Sequence, residues 1–471
     1  MEKILAKIPS LLEKKAFSKE KIIEILESAK QRALNPKGNS EYIQGLSLEE
    51  ASILLNLNPK EHAECLDLLF EAALFVKEKI YGNRIVIFAP LYVSNHCMGS
   101  CLYCGFRTQN DKIQRKALSD EEIVKEVECL QKEGHKRVLM LMGEHPLYTF
   151  DNFLNAISKV SEVKTSPHGE IRRINVEIPA LKKVEFKKLK ATGKIGTYTL
   201  FQETYHLPTY KKVHPFGPKS DYLYRLYTMD RALEENINDV GIGALFGLYD
   251  YRYEVLALLA HANYLDQKFR IGPHTISIPR LQRAVNTPFI KNSPYIVDDL
   301  NFKKLVAVIR LAVPYTGMIL STRESPKMRS ELLQLGISQI SAGSKTQPGG
   351  YHKKLKSAAQ FSLGDKRSLE EVIQELIKSN FIPSFCTACY RLERTGEAFM
   401  KIAKKGDIHK FCHPNALMTF AEYLHDYANE KTKKMGFDLI EREILNISAV
   451  QRNRLKENLE VIKNGKRDLF Y

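Results

Sequence analysis

Hydrophobic residues recur along this chain in two patterns, one with the period of an α-helix and one as short continuous runs. The first eighty residues show the helical period, and Ser47 with Glu50 forms a capping box before an apolar stretch. From there to about residue 345, eight short β-prone runs alternate with amphipathic segments. These predicted strands are Arg84–Pro90, Arg137–Met142, Ile174–Ile178, Gly196–Phe201, Val240–Leu245, His274–Ile278, Gly317–Thr322 and Ile337–Ser341.

This alternation predicts an α/β fold with a parallel sheet and helical crossovers. Eight strands in about 260 residues match a closed (β/α)8 TIM-type barrel, and an open six-stranded partial barrel is the alternative. The loop signal Gln347-Pro348-Gly349-Gly350 ends the pattern. Helices are predicted after it at Ser368–Ser379, Ala416–Asn429 and Leu439–Ile462. We therefore predict three domains: a helical N-terminal extension (1–80), the barrel (81–346) and a mainly helical C-terminal domain (347–471).

Composition places the chain among ordinary globular proteins. Of its 471 residues, 44% are hydrophobic and 27% are charged. No apolar run approaches the roughly 18 residues that a membrane-spanning helix needs, and the first residues contain no hydrophobic leader segment. We therefore expect a cytoplasmic protein without a membrane partner. The formal net charge of +16 comes from lysines spread over the whole chain, which favours a solvated basic surface over a nucleic-acid partner.

Six of the eight cysteines fall into two groups, and the first group forms a CxxxCxxC loop directly after the first predicted strand. It contains Cys97, Cys101 and Cys104. Three thiolates are one ligand short of a structural zinc site, but they suit a [4Fe–4S] cluster with one iron left open. Gly99 and Gly105 allow the loop to fold around such a cluster. We therefore favour an iron–sulfur cluster over zinc with a distant fourth ligand or a redox-active pair.

The second group contains Cys386, Cys389 and Cys412 in a CxxC…C arrangement. On these residues alone, zinc with His409 or His413 as the fourth ligand is a strong alternative to a second cluster.

The CxxxCxxC loop at the end of a first barrel strand resembles the radical S-adenosylmethionine (SAM) superfamily. The resemblance implies that the open iron binds SAM and that one electron from the cluster cleaves its sulfonium, giving a 5′-deoxyadenosyl radical. Met142-Gly143-Glu144 is similar to the Gly-Gly-Glu segment of that family, with methionine in place of the first glycine. The residues that the resemblance assigns to SAM binding are Tyr103, Glu144, Glu177, Gly241, Gly243 and Leu245.

Further segments resemble the tyrosine-lyase branch of this superfamily, which contains the HydG family of [FeFe]-hydrogenase maturases and the 2-iminoacetate synthases of thiamin biosynthesis. These segments are Phe201–His206, Met229–Ala232, Gly243–Tyr251, Gly272–Ser277, Leu320–Glu324 and Ser341–Ser344. The stretch Phe385–Met400, with Cys412 downstream, is similar to the auxiliary-cluster domain of the HydG family. Because 2-iminoacetate synthases end without this domain, the resemblance to the HydG family is the closer one.

The resemblance implies a lyase that acts on tyrosine. A hydrogen atom leaves the amino group, the Cα–Cβ bond breaks, and p-cresol and dehydroglycine form. Dehydroglycine then gives carbon monoxide and cyanide at a second [4Fe–4S] cluster, and both leave on iron with cysteine for assembly of the hydrogenase H-cluster. The implied cofactors are two [4Fe–4S] clusters and SAM. A hydrogenase maturation scaffold protein and an electron donor are the implied protein partners.

Substrate residues are expected at the carboxyl ends of the barrel strands. Arg323 can form two parallel bonds with the tyrosine carboxylate, and an ion pair with Glu324 is its structural alternative. Ser321, Gln202 and His274 are expected to line the same site.

The resemblance also implies an extra iron on the second cluster, held by a histidine ten residues before His274. Tyr264 stands at that position, so we expect Tyr264, the nearby His261 or water to take this role. Two other functions remain open from the sequence. One is 2-iminoacetate synthesis, which stops at dehydroglycine and needs one cluster. The other is a basic RNA-binding protein with structural zinc.

Overall fold

The computed structural model describes residues 1–13, 17–34, 42–58, 60–287, 289–353 and 358–471. Within these residues the strands β1 to β11 are Arg84–Ser94, Arg137–Met142, Lys164–Thr165, Gly169–Glu170, Arg173–Glu177, Ile195–Glu203, Val240–Ala244, Thr275–Ser277, Gly317–Leu320, Gln339–Ser341 and Ile382–Ser384. The helices α1 to α21 are Glu2–Leu5, Ile8–Leu12, Lys19–Leu34, Leu48–Leu55, Ala63–Tyr81, Asp120–Lys132, Phe150–Glu162, Lys183–Ala191, Leu207–Val213, Tyr222–Leu226, Thr228–Glu234, Tyr251–Phe269, Phe289–Asn292, Asp299–Ala312, Pro326–Leu333, Leu369–Lys378, Ala388–Arg391, Gly396–Lys404, Ile408–Asp426, Glu430–Ile444 and Ala449–Lys463.

Eight parallel strands, β1, β2 and β5 to β10, close into a barrel. Closure is made by β10 against β1, where Val86–Phe88 pair with Gln339–Ser341. The predicted (β/α)8 barrel is therefore confirmed, and the six-stranded alternative is wrong. All eight predicted strands exist with ends shifted by a few residues, because parallel strands buried on both faces consist of continuous apolar runs.

Strand β1 has three neighbours along its length. Its first residues pair with β11, its middle pairs with β10, and its last residues pair with β2. The sequence did not indicate β11, since it has only three residues and one of them is Pro383. The pairing of Arg84 with Ile382 fixes the C-terminal segment to the amino end of the first barrel strand.

Two glycines of β7 allow side chains to fill the barrel interior. A Cβ atom on Gly241 would lie 2.5 Å from the Thr275 Oγ1 and 2.7 Å from the Thr199 Oγ1. A Cβ atom on Gly243 would lie 2.7 Å from the Phe201 ring. Larger residues at these two positions would therefore displace their neighbours on β6 and β8.

Helices surround the barrel. The capped helix Asp120–Lys132 begins after Ser119. The predicted helix Leu439–Ile462 is wrong, because Ser448 leaves the helical conformation and separates α20 from α21. In the second cysteine group, Cys389 is on α17 and Cys412 is on α19.

One large hydrophobic core extends through most of the described residues, and two small apolar clusters lie beside the first cysteine loop. The large core includes Leu26 before the barrel, Ile276 in β8 and Leu417 in α19. The boundaries of the three predicted domains stay a prediction. Among the described residues, no helix combines the length and the apolar character that crossing a membrane would require.

Lys77 on α5 is a basic side chain that folding buries completely, with an exposed fraction of 0%. Its Nζ has no hydrogen-bond partner among the described residues and lies 4.1 Å from the centroid of the Phe381 ring. Burial, together with the Arg310 guanidinium, lowers the pKa of Lys77 to about 7. At neutral pH, folding must therefore either bury this charge or release its proton, and both cost free energy.

We expect Lys77→Met to stabilise the protein at pH 7 by on the order of 1–3 kcal/mol, because methionine fills similar space without a charge. The Lys77 pKa is lower in the folded state, so the natural protein gains stability as the pH rises from about 7 towards 10.5. The advantage of the variant should therefore shrink with rising pH. Denaturant unfolding at pH 7 and at about pH 9 measures both effects.

Lys79→Met, at an exposed position of the same helix, is the matched control. Equal stabilisation by both substitutions, or an advantage that does not change with pH, would contradict this account of Lys77.

Candidate active site and a second cysteine cavity

The first cysteine group lies on the loop after β1, at the carboxyl ends of the barrel strands. The Gly99 N–H donates to the Cys97 Sγ at 3.3 Å. The Phe106 N–H donates to the Cys104 Sγ at 3.4 Å. A Cβ atom on Gly99 would lie 3.4 Å from the Cys97 Sγ and 3.6 Å from the Cys101 Sγ, so these two sulfurs flank the glycine. Three thiols without disulfide partners, two of them accepting backbone N–H bonds, fit a [4Fe–4S] cluster.

The segment after α9 covers one side of this loop. The Ser100 N–H and hydroxyl both donate to the Phe216 carbonyl oxygen, at 3.3 and 2.7 Å. The next residue, Gly217, has a φ of 95°, and a Cβ atom there would lie 2.9 Å from the Met98 carbonyl oxygen. Both its conformation and its close approach to the loop therefore require glycine.

The end of β2 covers another side. The Met98 N–H donates to the Glu144 carbonyl oxygen at 2.9 Å. A Cβ atom on Gly143 would lie 2.2 Å from the His96 carbonyl oxygen, so the cysteine loop packs directly on this glycine. Methionine at position 142 leaves this contact intact. Glu144 is half-buried beside the loop, and burial raises the pKa of its carboxyl group.

Of the other residues assigned to SAM binding, Tyr103 and Leu245 lie together. The Tyr103 hydroxyl lies 2.8 Å from the His214 Nε2. Tyr103 packs on an apolar cluster that contains Leu245 and Val213. The structure thus brings these two residues to the cysteine loop. Gly243 is on β7, two residues before Leu245.

A largely apolar cavity lies inside the barrel at the same end and contains Arg323, Ser321 and Glu177. The Arg323 guanidinium stacks 3.4 Å from the centroid of the Phe361 ring. The pKa of Glu177 is raised to about 7. Burial is the main cause, the Glu203 carboxylate adds to it, and Arg323 opposes it. The cavity therefore combines a fixed cation with a carboxyl group that exchanges its proton near neutral pH.

The sequence did not indicate Tyr92 and Gln360, which also line this cavity. The Tyr92 hydroxyl donates to the Gln360 Oε1 at 2.7 Å, and the Gln360 Nε2 contacts the Cys104 Sγ at 3.8 Å. The Gln360 carbonyl oxygen accepts the Gly105 N–H at 3.0 Å. Gln360 belongs to an irregular segment without a motif, so no pattern in the sequence could identify it.

One predicted substrate residue lies elsewhere. His274 directly precedes β8 and therefore lies at the amino ends of the strands, at the other end of the barrel from Arg323. The expectation that His274 lines the Arg323 site is wrong. Gln202 is buried on β6 at a register shift between Phe201 and Glu203, where strand alternation does not give the direction of a side chain, and its substrate role stays a prediction.

His274 instead lines a second cavity with Cys386, Cys389 and Cys412. A hydrogen bond with the Cys389 thiol lowers the pKa of Cys412 to about 6. The His274 Nδ1 is buried without a hydrogen-bond partner among the described residues, and lies 3.7 Å from the Asp239 Oδ1. Burial lowers the pKa of His274 to about 4, so the imidazole is neutral at pH 7 and able to bind a metal. Three thiols and a neutral imidazole fit an iron–sulfur site.

Arginines surround this second cavity. Arg84, Arg137 and Arg173 are the first residues of β1, β2 and β5, and all three line it. Arg137 donates to the Cys386 carbonyl oxygen at 2.7 Å, and Arg173 pairs with Asp239 at 3.1 Å. The Nε atoms of Arg84 and Arg137 have no hydrogen-bond partner in the described part of the chain. These cations would stabilise an anionic cluster or an anionic ligand.

Neither residue expected to hold the extra iron lies in the second cavity. The Tyr264 hydroxyl donates to the Asp230 carboxylate at 2.6 Å, and the His261 Nδ1 lies 2.9 Å from the Tyr205 hydroxyl. This expectation is wrong for both residues, because Tyr264 is bonded to Asp230 on α11 and His261 faces Tyr205, which lies between β6 and α9. The histidine that lines the second cavity is His274.

The histidines of the zinc alternative lie in a different place. His409 and His413 line a separate surface cavity, in which the His413 Nε2 lies 3.4 Å from the Glu443 carboxylate. Among the described residues, no three His, Cys, Asp or Glu side chains converge on a position for a single metal ion. A cluster has no such requirement, since its irons are bound by separate thiolates.

Comparisons with known proteins agree with this geometry. Residues 91–262 match the radical SAM superfamily, and residues 277–382 match the biotin and thiamin synthesis associated domain. The 2-iminoacetate synthase of Escherichia coli K12 is 33% identical over 320 residues, which are 68% of this chain and 82% of that protein.

Two solved structures extend the similarity over the whole chain. A crystal structure of HydG, a maturase of the [FeFe]-hydrogenase, superposes with a TM-score of 0.92 at 50% identity and covers 100% of this chain and 99% of its own. HydG from Carboxydothermus hydrogenoformans superposes with a TM-score of 0.80 at 38% identity, over 98% of this chain and 99% of its own. This chain is therefore a radical SAM enzyme that belongs to the HydG family of [FeFe]-hydrogenase maturases.

Proposed function

We propose that this protein cleaves the Cα–Cβ bond of tyrosine and converts one product to carbon monoxide and cyanide for assembly of the hydrogenase H-cluster. The observation that carries the proposal is the presence of two cysteine groups at opposite ends of one barrel. One lies next to the largely apolar cavity that contains Arg323, and the other lines a cavity with three arginines.

At the first site, Cys97, Cys101 and Cys104 would hold a [4Fe–4S] cluster whose open iron binds SAM. When bound, this pair supplies a 5′-deoxyadenosyl radical by one-electron cleavage of the sulfonium. Six residues are proposed to bind SAM: Tyr103, Glu144, Glu177, Gly241, Gly243 and Leu245. The proposal is supported for those that lie beside the cysteine loop or in the adjoining cavity.

The chain's own contribution is to hold tyrosine still and to exclude water. Arg323 would bind the substrate carboxylate with two parallel bonds, which its planar guanidinium allows. Phe361 stacks on that guanidinium and limits its movement. Ser321 is close enough in sequence and in the cavity to add a hydrogen bond. The Glu177 carboxyl group, with a pKa of about 7, could accept a proton from the substrate ammonium group.

The balance of atoms determines what the reaction needs from outside. p-Cresol and dehydroglycine together contain the atoms of tyrosine, but one hydrogen atom leaves the amino group for the radical. The p-cresol fragment must therefore gain an electron and a proton. With the electron that cleaves the sulfonium, each turnover uses two electrons. Dehydroglycine then gives carbon monoxide, hydrogen cyanide and water in a step that needs no external electron, because one of its carbons is reduced as the other is oxidised.

At the second site, Cys386, Cys389 and Cys412 would hold the second cluster, and His274 would hold the extra iron in place of Tyr264 or His261. Iron and cysteine are then substrates that leave with the carbon monoxide and cyanide for a maturation scaffold protein. Arg84 and Arg137, which have buried Nε atoms without partners in the described residues, could orient anionic dehydroglycine or cyanide. The 2-iminoacetate reaction would use only the first site. The second cavity therefore favours the longer reaction, which continues to carbon monoxide and cyanide.

Reconstituted protein incubated without oxygen with SAM, dithionite and tyrosine is expected to form p-cresol, carbon monoxide and cyanide together. Chromatography for p-cresol, haemoprotein trapping for carbon monoxide and derivatisation for cyanide provide the measurement. Cys101→Ala should abolish 5′-deoxyadenosine formation, whereas Cys129→Ala, at a lone cysteine of α6, should not. Iron-replete protein that forms p-cresol but no carbon monoxide would refute the proposed second step.

Arg323→Lys keeps a charge but loses the planar guanidinium, so we expect p-cresol formation to fall by roughly tenfold or more. SAM cleavage should fall less, because SAM binding depends on other residues. The ratio of p-cresol to 5′-deoxyadenosine measures this uncoupling. Arg252→Lys, on the outer helix α12, is the control. An unchanged ratio would remove Arg323 from substrate binding.

Cys386→Ser/Cys389→Ser should leave p-cresol formation largely intact while carbon monoxide is lost, because the second site acts only on a product of the first. His274→Ala is expected to keep both four-iron clusters and to lose the extra iron, which iron analysis and electron paramagnetic resonance would measure. A normal carbon monoxide yield from the folded double variant would remove the second cluster from the mechanism. An unchanged iron content in His274→Ala would show that a group other than His274 holds the extra iron.

A further inference from the structure

The outer surface above the first cysteine loop has exposed apolar side chains. Phe216 is 51% exposed and Val285 is 43% exposed. The Phe216 carbonyl oxygen accepts both bonds from Ser100 described above, and the Val285 carbonyl oxygen accepts the Asn110 Nδ2 at 2.9 Å. The same Asn110 Nδ2 donates to the Gly105 carbonyl oxygen at 2.8 Å. Both exposed residues are thus attached by hydrogen bonds to the backbone around the three cysteines.

Exposed cations stand close to these two residues in sequence. Lys211 and Lys212 are in the last turn of α9, and Arg283 lies two residues before Val285. The Leu102 N–H donates to the Val213 carbonyl oxygen at 3.1 Å, which places the end of α9 against the cysteine loop. No ion pair of Lys211, Lys212 or Arg283 is found in the ranges that the structure describes. We call Phe216, Val285, Lys211, Lys212 and Arg283 the basic apolar patch.

The cations of the patch differ from neighbouring lysines, which have carboxylate partners. Lys219, eight residues after Lys211, pairs with the Glu203 carboxylate, and Lys112 lies 3.6 Å from the Asp111 carboxylate. The three cations of the patch therefore keep their full charge available to a partner. Exposed apolar side chains and unpaired cations on segments that contact one loop have the composition of a transient protein interface.

We propose that the basic apolar patch docks a small acidic one-electron carrier protein that reduces the first cluster. The proposal rests on the proposed function, because the reaction written above needs two electrons per turnover from outside. The substrate cavity occupies the barrel side of the cysteine loop, so electrons enter from the outer side. There the patch residues are hydrogen-bonded to the loop itself. The cations would steer an acidic carrier to this face, and Phe216 with Val285 would form the dry contact. A nucleic acid would also bind the cations, but it would gain less from contact with Phe216 and Val285.

The test compares two reductants on reconstituted holoenzyme. One is dithionite, which needs no docking, and the other is an acidic flavodoxin kept reduced by its reductase and NADPH. The variant Lys211→Glu/Lys212→Glu/Arg283→Glu reverses the three charges and changes no cavity or cysteine-loop residue. With flavodoxin, 5′-deoxyadenosine formation should fall by roughly tenfold or more, and with dithionite it should stay unchanged. The Kd of flavodoxin, measured by calorimetry, should rise in the variant and rise with salt in the natural protein.

Lys187→Glu/Lys188→Glu on α8 is the control and should keep both activities. Equal rates with flavodoxin in the variant and the natural protein would overturn the proposal, and so would an equal fall with both reductants. A variant that loses affinity for an RNA oligonucleotide while flavodoxin still supports its activity would also overturn it, and would assign the patch to nucleic acid. If the natural protein forms no 5′-deoxyadenosine with dithionite, the proposed function fails instead.

Discussion

Backbone pairing of β1 with three other strands is the interaction on which both cysteine sites depend. Its amino end holds β11, which leads directly to Cys386, and its carboxyl end leads directly to Cys97. Its middle closes the barrel against β10. With a rise of about 3.3 Å per residue, the eleven residues of β1 have a length of about 33 Å at most. One strand thus connects the proposed start and end of a two-step reaction.

The electrostatics of the two ends differ in a way that suits different chemistry. At the carboxyl end, two of the cations near the substrate cavity, Lys219 and Arg225, share the Glu203 carboxylate. A zwitterionic substrate can bind there without a large net charge. At the amino end, three arginines face one carboxylate, Asp239. The excess of positive charge favours the binding of anions at that end. This suits the proposed cluster and its products, which are anionic or bind as anions.

Much of this organisation could be predicted from the sequence, since buried parallel strands and a CxxxCxxC loop both depend on neighbouring residues. The parts that could not be predicted depend on contacts between distant residues. Strand Ile382–Ser384 is too short to have a pattern, and its role depends on pairing with β1. His274 stands at the amino end of its strand in both the sequence pattern and the structure, but the cysteines that share its cavity are more than 100 residues away in sequence. The arginines Arg84, Arg137 and Arg173 stand on separate strands and meet only when the barrel closes.

The position of Gln360 also has a consequence for how the protein is made. Its contacts with Cys104, Gly105 and Tyr92 complete the inner wall of the first cysteine loop. A ribosome synthesises Gln360 more than 250 residues after Cys104, as their numbers show. During translation the three thiols therefore emerge long before the residues that cover them. The inner wall of the loop is therefore completed only after the chain has been synthesised beyond the last strand of the barrel.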